Sequence, residues 1–559
     1  MMKTAVRTFT LLLICCLILG VFAGCTSGGS TTTPSETPNT SASTPASSQG
    51  ADQGSENAQT EEYVFRMPIT SDAYTITAWR SYSSTILTSP NEILANQELE
   101  KRTNIHLEYQ LAPTVDGQTQ YNLMVQSGDY TDILFQGIQG PNVTQYTGGF
   151  DKGLDDEVFL ELTDVIDRWM PNVKQYMSDP EIRKGFLTDS GRVAGIVNVM
   201  TEGGQPPFVG PGIRQDMLDK VGITKLPETL DELHTALSKF KNELGVESPL
   251  NIQTTGIGMP SSITGAFQMD PGFFMDGNTV KFGILEQGMR DYLEMMRQWY
   301  AEGLIDQEFY TRTDSTVARE RMSSDKVGAS VSVLYTLPHI YKMMSDNPDY
   351  HLVAIPYLKK NVGDSLHFVH VLPATGNTYI VITTAVKDQQ RLENIARWID
   401  YRFTEEGSVL LNYGIEGDTY QIVNGAPMYT DKVVNNPDGT SANDMIAIIT
   451  DSSHGAIYDW TRERAMVTEE EWSFYDVWGN SGDNAGILPG RATKSTEEGQ
   501  EYSRLYSDIE TYVSENIPLF IIGTKSMAEY DAFVDQIRSM NIDRCIEIQQ
   551  ASVDRYMKK

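Results

Sequence analysis

Strand-like and helix-like hydrophobic patterns take turns along most of the chain. TITAWR (75–80) alternates apolar and polar positions as a strand, and NEILANQELEKR (91–102) follows with helical spacing. The strand pattern HLEYQL (106–111), a helix near 119–127 and the strand DILFQ (132–136) continue the alternation. Strands separated by single helices predict parallel α/β layers. LTDVIDRWM (162–170) places Leu162, Val165, Ile166 and Trp169 on one helical face, and Pro171 stops it. RVAGIVNV (192–199) reads as a strand before a loop rich in Gly and Pro, TEGGQPPFVGPG (201–212).

A clear helix signal follows that loop. Thr229 and Glu232 form a capping box, with Leu230, Leu233, Leu237 and Phe240 as the buried stripe. GMRDYLEMMRQWYAEG (288–303) turns Met289, Tyr292, Met296 and Trp299 inward and stops at Gly303. KVGASVSVLY (326–335) and NTYIVITTAV (377–386) alternate as strands, and a helix over 389–405 carries Ile395, Trp398, Ile399 and Phe403. Two more helices follow, EYSRLYSDIETYV (501–513) and SMAEYDAFVDQIRSM (526–540), the latter opened by a capping box of Ser526 and Glu529. Residues 425–495 read as acidic, aromatic and rich in loops.

The N-terminus changes the picture. Lys3 and Arg7 precede an apolar run from Phe9 to Val21, the charge order and length of a secretory signal and too short for a membrane span. VFAGC then resembles the bacterial lipobox, with Phe22 bulkier than usual, which assigns residues 1–24 to a signal peptide and Cys25 to lipidation. From Thr26 to Thr60 there is no Lys, Arg or aromatic residue, so the tract cannot bury enough surface to offset its ordering entropy. Residues 25–61 therefore read as a lipidated leash with a reach of roughly 30 Å. Of the four cysteines only Cys545 lies in the folded body, which excludes an internal disulfide there. The formal charge of −32 argues against nucleic acid and against electrostatic binding to anionic lipid.

GIRQDMLDKVGITKLPETLDELHTALSKFK, YLEMMRQWYAEGLIDQEF, RWIDYRFTEEGSVLLNYGIEGDTY and the tail FIIGTKSMAEYDAFVDQIRSMNIDRCIEIQQASVDRY occur in that order between Gly212 and Tyr556. Together they resemble extracellular solute-binding protein family 1, the lipoprotein substrate-binding components of bacterial carbohydrate ABC importers. The resemblance implies an α/β, two-lobed, periplasmic-binding-protein-like fold of type II, with a ligand cleft between lobes joined by a three-segment hinge. Crossings are expected near Asn198, Tyr335 and Tyr379. That gives lobe one as 62–197 plus 336–378 and lobe two as 198–335 plus 379–559. It also implies a monomeric receptor, not an enzyme, anchored on the outer side of the cell membrane through Cys25. By closing its lobes, the receptor would deliver a mono- or oligosaccharide to ABC permease subunits. Some members carry an acidic calcium loop after the capping-box helix. KNELGVESPLNI (241–252) lacks alternating oxygen ligands, so neither a metal nor a cofactor is expected.

Sugars are recognised by aromatic faces and planar polar side chains. Trp79 and Arg80 end the first strand, where open α/β sheets present ligands. Trp460, Trp472 and Trp478 fall in the loop-rich region, where no periodicity explains them. Asp132, Asn198, Arg214, Asp216 and Tyr335 complete the candidate set, with capping as the plainer role for Asp132 and Asp216. Acidic runs such as DDE (155–157) and TEEE (468–471) do not supply the two separated carboxyls of a glycosidase, and HFVH (367–370) sits in extended chain. A surface glycan-processing enzyme stays open as an alternative, as does the same receptor fold with a peptide or other small solute.

Overall fold

The computed structural model describes residues 66–559 except 139–142, 201–206, 208, 253–262, 312–319, 332–335, 370, 372 and 465. The signal, Cys25, the leash and Tyr335 lie outside the described residues.

Two sheets each organise their own core. The first sheet contains β1 (Tyr74–Ser81), β2 (Ile105–Ala112), β3 (Ile133–Gly137), β4 (Ile196–Met200), β11 (Thr375–Ile382) and β14 (Ile457–Tyr458). Their spatial order is β14-β4-β11-β3-β1-β2. The β1–β2, β1–β3 and β14–β4 pairs are parallel, while β11 runs antiparallel between β3 and β4. Every residue of β3 is buried, as befits a strand covered on both faces. Helix Gln389–Tyr401 packs Ile395, Trp398 and Ile399 into this core. Helix Pro171–Tyr176 is tied to it by the Asp400 carboxylate, which accepts from the Asn172 and Val173 amides at 2.9 and 3.0 Å.

The second sheet is smaller. It orders β5 (Gly212–Arg214), β6 (Leu250–Asn251), β9 (Ala329–Ser330) and β10 (Leu352–Ala354) as β10-β5-β9-β6. Two hairpins stand apart, β7 (Phe273–Asp276) with β8 (Thr279–Phe282) and β12 (Tyr420–Val423) with β13 (Ala426–Tyr429). Around the second sheet pack helices Leu230–Leu244, Gln287–Ala301, Thr496–Ile521, Tyr530–Ser539 and Ile542–Tyr556. The capping boxes at Thr229–Glu232 and Ser526–Glu529 both form.

The expected division of the lobes needs correction. Leu337, Ile340, Leu352 and Leu366 belong to second-lobe cores, so 336–369 is not part of lobe one. Ile380, Trp398, Leu410 and Ile457 lie in the first core, so 379–457 is not part of lobe two. The cause is β11, whose pairing with β3 and β4 requires the chain to have re-entered the first lobe by Thr375. The three crossings therefore fall after Met200, before Thr375 and after Tyr458. Asn198 stands close to the first of these. Tyr379 lies inside β11 rather than at a crossing, and the described segments flanking Tyr335 both belong to the second lobe.

Candidate interlobe ligand site

The carboxyl ends of β1, β3 and β4 and the amino end of β11 share one edge of the first sheet, because β11 alone among these is antiparallel. The chain crosses to the second lobe from that edge, where open α/β sheets bind ligands. A cavity of about 470 Å³ opens there, between residues of both lobes. Gln136, Tyr379 and Asp189 contribute from the first lobe, and Arg491, Lys494 and Arg555 from the second.

Strand register builds the first-lobe wall. Gln136 on β3 stands directly opposite Tyr379 on β11, so both side chains face the same side of the sheet. Gln136 is fully buried and donates from Nε2 to the Tyr121 hydroxyl at 2.9 Å, leaving its carboxamide oxygen without a partner. Tyr379 donates to the Gly185 carbonyl at 3.1 Å and packs against Phe150 with ring centroids 4.6 Å apart. Its hydroxyl accepts from Arg491 Nη1, a contact that bridges the lobes. Arg491 is only 5% exposed, and its Nε and Nη2 have no partner among the described residues.

Beside these groups the lobes are laced together. Asp189 of the first lobe accepts from Thr493 Oγ1 at 2.7 Å and from Lys559 Nζ at 3.0 Å, and Arg555 Nε stands 3.5 Å away. Lys559 Nζ also donates to the Leu187 carbonyl at 3.0 Å. The close approach calls for glycine at Gly148, whose φ is +95°. A Cβ there would stand 2.6 Å from Thr496 Oγ1.

Comparison with known proteins fits this geometry. No protein-family model matches the chain. FusA of Streptococcus pneumoniae, a fructooligosaccharide ABC transporter substrate-binding protein, is 23% identical over 500 residues, 84% of this chain and 88% of its own. Its complex with kestose has a TM-score of 0.63 at 20% identity, covering 87% of this chain and 99% of that one. An extracellular solute-binding protein from Bifidobacterium longum subsp. infantis reaches a TM-score of 0.69 at 17% identity, over 86% of this chain and 98% of its own. The fold is that of a two-lobed solute-binding protein. Lipoprotein LipO of Bacillus subtilis is also similar, 22% identical over 352 residues, 58% of this chain and 64% of its own.

Within this solute-binding fold most of the residues singled out from the sequence serve the framework. Trp79 is 4% exposed and meets Tyr121 edge-on at 5.3 Å. Arg80 pairs with Asp451 through both terminal nitrogens, at 2.8 and 3.0 Å. They occupy the expected strand end, but the sheet is covered on both faces, so successive side chains are both buried. Asp132 lies at the opposite edge, where it accepts from the Thr77 amide and hydroxyl, each at 2.7 Å, and pairs with Arg391. Burial alone would raise its carboxyl, but the hydrogen bonds from Arg391 and Thr77 outweigh it and hold the group below the usual carboxylate range. Asn198 accepts from the Thr378 hydroxyl at 2.8 Å, tying β4 to β11.

Arg214 is buried in the second lobe, bonded to Asp216 at 2.6 Å and lying 4.0 Å over the Tyr350 ring. Asp216 also accepts from the His351 amide at 3.0 Å. Trp478 is wholly buried. Trp472 is half-buried at the start of helix Glu469–Gly479, beside Tyr475 and Arg464. Of the three tryptophans, Trp460 stands at the lobe boundary, its Nε1 donating to Met200 Sδ at 3.2 Å and its ring 4.8 Å from Tyr458.

Two of the cavity's acids share one arginine. Asp151 and Asp155 both pair with Arg192 at 2.9 Å. Burial would raise Asp151, but hydrogen bonds from Ser190, Thr188 and Arg192 hold it below the usual range. Glycoside hydrolysis needs one carboxyl kept protonated beside a second that is ionised.

Sequence reasoning did not find Gln136 or Arg491. No local pattern marks them, since their place in the cavity wall follows from strand pairing and lobe apposition.

Proposed function

We propose that this protein is a lipid-anchored extracellular receptor that captures a sugar or oligosaccharide between its lobes and delivers it to an ABC permease. The observation that carries the reading is the interlobe cavity, lined from each lobe by a buried polar side chain with atoms unpartnered among the described residues. Buried polar groups are costly to leave unpaired, and a ligand hydroxyl or charged group that pairs them favours the closed lobes. FusA, named for fructooligosaccharides, and the Bifidobacterium solute-binding protein share the fold across nearly their whole lengths, which supports this reading. LipO supports the lipidated anchor, as does the lipobox-like VFAGC. No described helix is long and apolar enough to cross a membrane.

A thermal-shift screen of residues 61–559 against mono- and oligosaccharides and peptides tests the receptor role. A ligand at 100 times its Kd is expected to add about 2.7 kcal/mol to stability, and mass spectrometry should recover it unchanged. Peptide hits with silence across all sugars would overturn the carbohydrate assignment, and product formation would establish the enzyme instead. For the anchor, Cys25→Ala is expected to move the protein from the membrane fraction to the medium. Retention of that variant in the membrane would refute lipidation at Cys25 as the attachment.

A further inference from the structure

The charges of the interlobe cavity are unevenly matched. In a chain of net charge −32, most cations on its wall have a carboxylate partner. Lys152 pairs with Asp156 and Lys184 with Glu181, each at 2.7 Å. Arg555 pairs with Glu498, and Lys559 with Asp189. Arg491 and Lys494 have no carboxylate partner among the described residues.

Arg491 is the more telling of the two. The Tyr379 hydroxyl holds it from one side through Nη1, and its guanidinium carbon lies 5.6 Å from the Tyr379 ring centre. The unpaired atoms are Nε and Nη2. These form one edge of the planar guanidinium, and that edge presents two parallel N–H groups matching the two oxygens of a carboxylate. A buried cation with no counter-ion is costly, so an arriving anion gains more there than a neutral hydroxyl would. Lys494, half-buried with Nζ 4.2 Å from the Tyr502 ring centre, lies three residues along the same cavity-lining segment and adds positive charge. Gln136 also lines this cavity, and its buried carboxamide oxygen, without a partner among the described residues, has the capacity to accept from a hydroxyl.

We propose that the ligand is an acidic sugar whose carboxylate pairs with the Nε/Nη2 edge of Arg491, with Gln136 accepting from a ring hydroxyl. This rests on the receptor reading above and names the class of sugar.

The test varies the ligand first, so that folding of a variant cannot confuse it. Calorimetric titration of the full-length protein in detergent would compare oligogalacturonate with its methyl ester, with neutral galacto-oligosaccharide and with a sulfated oligosaccharide. The acid is expected to bind at least about 30-fold tighter than its ester, the range of a charge-assisted bidentate pair. Arg491→Gln should erase that difference, and Arg491→Lys, which keeps the charge but not the fork, should restore part of it. Equal binding of acid and ester, or a preference for the neutral sugar, overturns the proposal and leaves the receptor intact. A preference for the sulfated sugar overturns the carboxylate assignment. Silence with every sugar, in these titrations and in the wider screen, overturns the carbohydrate-receptor reading itself.

Discussion

Asp451→Ala is expected to lower the stability of the first lobe by about 3–5 kcal/mol, among the largest effects of any single substitution in this protein. The carboxylate is 5% exposed and binds Arg80 through both oxygens, while Asn96 Nδ2 donates to it at 2.9 Å. Removing it strands the Arg80 guanidinium, itself 6% exposed, over the Phe135 ring. Arg402 stands close by, donating to the Asp451, His454 and Gly455 carbonyls at 2.9–3.1 Å. Burial would raise the Asp451 carboxyl, but Arg80 and Arg402 outweigh it and hold it far below the ordinary carboxylate range. The loss in the alanine variant is thus chiefly the penalty of an uncompensated buried cation. Replacing both partners together, as Arg80→Met with Asp451→Leu, should recover most of that loss, since an apolar pair of similar volume carries no such penalty. Urea denaturation of the single and double variants checks this, and an alanine variant as stable as the parent would sink the account.

Trp478→Ala should cost a comparable amount, about 3–5 kcal/mol, through loss of a fully buried indole. Trp478 meets Phe474 edge-on at 5.9 Å and donates from Nε1 to the Pro211 carbonyl at 3.0 Å. Its ring lies so close to Gly210 that a Cβ added there would stand 2.3 Å from it. Gly210→Ala is therefore expected to destabilise the same region even though nothing is removed, whereas Trp478→Phe should lose less than the alanine variant. Had Trp478 stacked on a sugar, as its place in an aromatic loop region suggested, the alanine variant would keep its melting temperature and lose only binding. Differential scanning calorimetry with and without ligand separates the two roles.

The misreading of Trp478 shows what the local pattern carries. Thr468 and Glu471 form a capping box, and Phe474 and Trp478 stand four apart on the helix it opens. That signal is written in TEEEWSFYDVWG, but the surrounding acids and aromatics hide the stripe. Elsewhere the pattern was informative: the stripe of Leu233, Leu237 and Phe240 is buried where it was expected. The division between lobes was less legible, because it depends on which strands β11 pairs with. A strand's own alternation does not name its neighbours. For the same reason Trp79 and Arg80 were placed at the correct end of β1 and yet proved to be framework. Arg491, in the loop segment RATKS, carries no periodic or motif signal at all. Its role in the cavity arises only when Tyr379, more than a hundred positions earlier, is brought against it.

The insertion of β11 between β3 and β4 also constrains how the chain can reach this state. Until residues 375–382 are in place, β3 and β4 have no shared neighbour, and each presents an unpaired edge. The whole of 201–374 must be synthesised before that gap can close. Such non-local pairing is slow to form and leaves strand edges open to other chains meanwhile. Neither lobe is therefore obtainable by cutting the sequence at one point, and a fragment ending at Met200 should aggregate rather than fold.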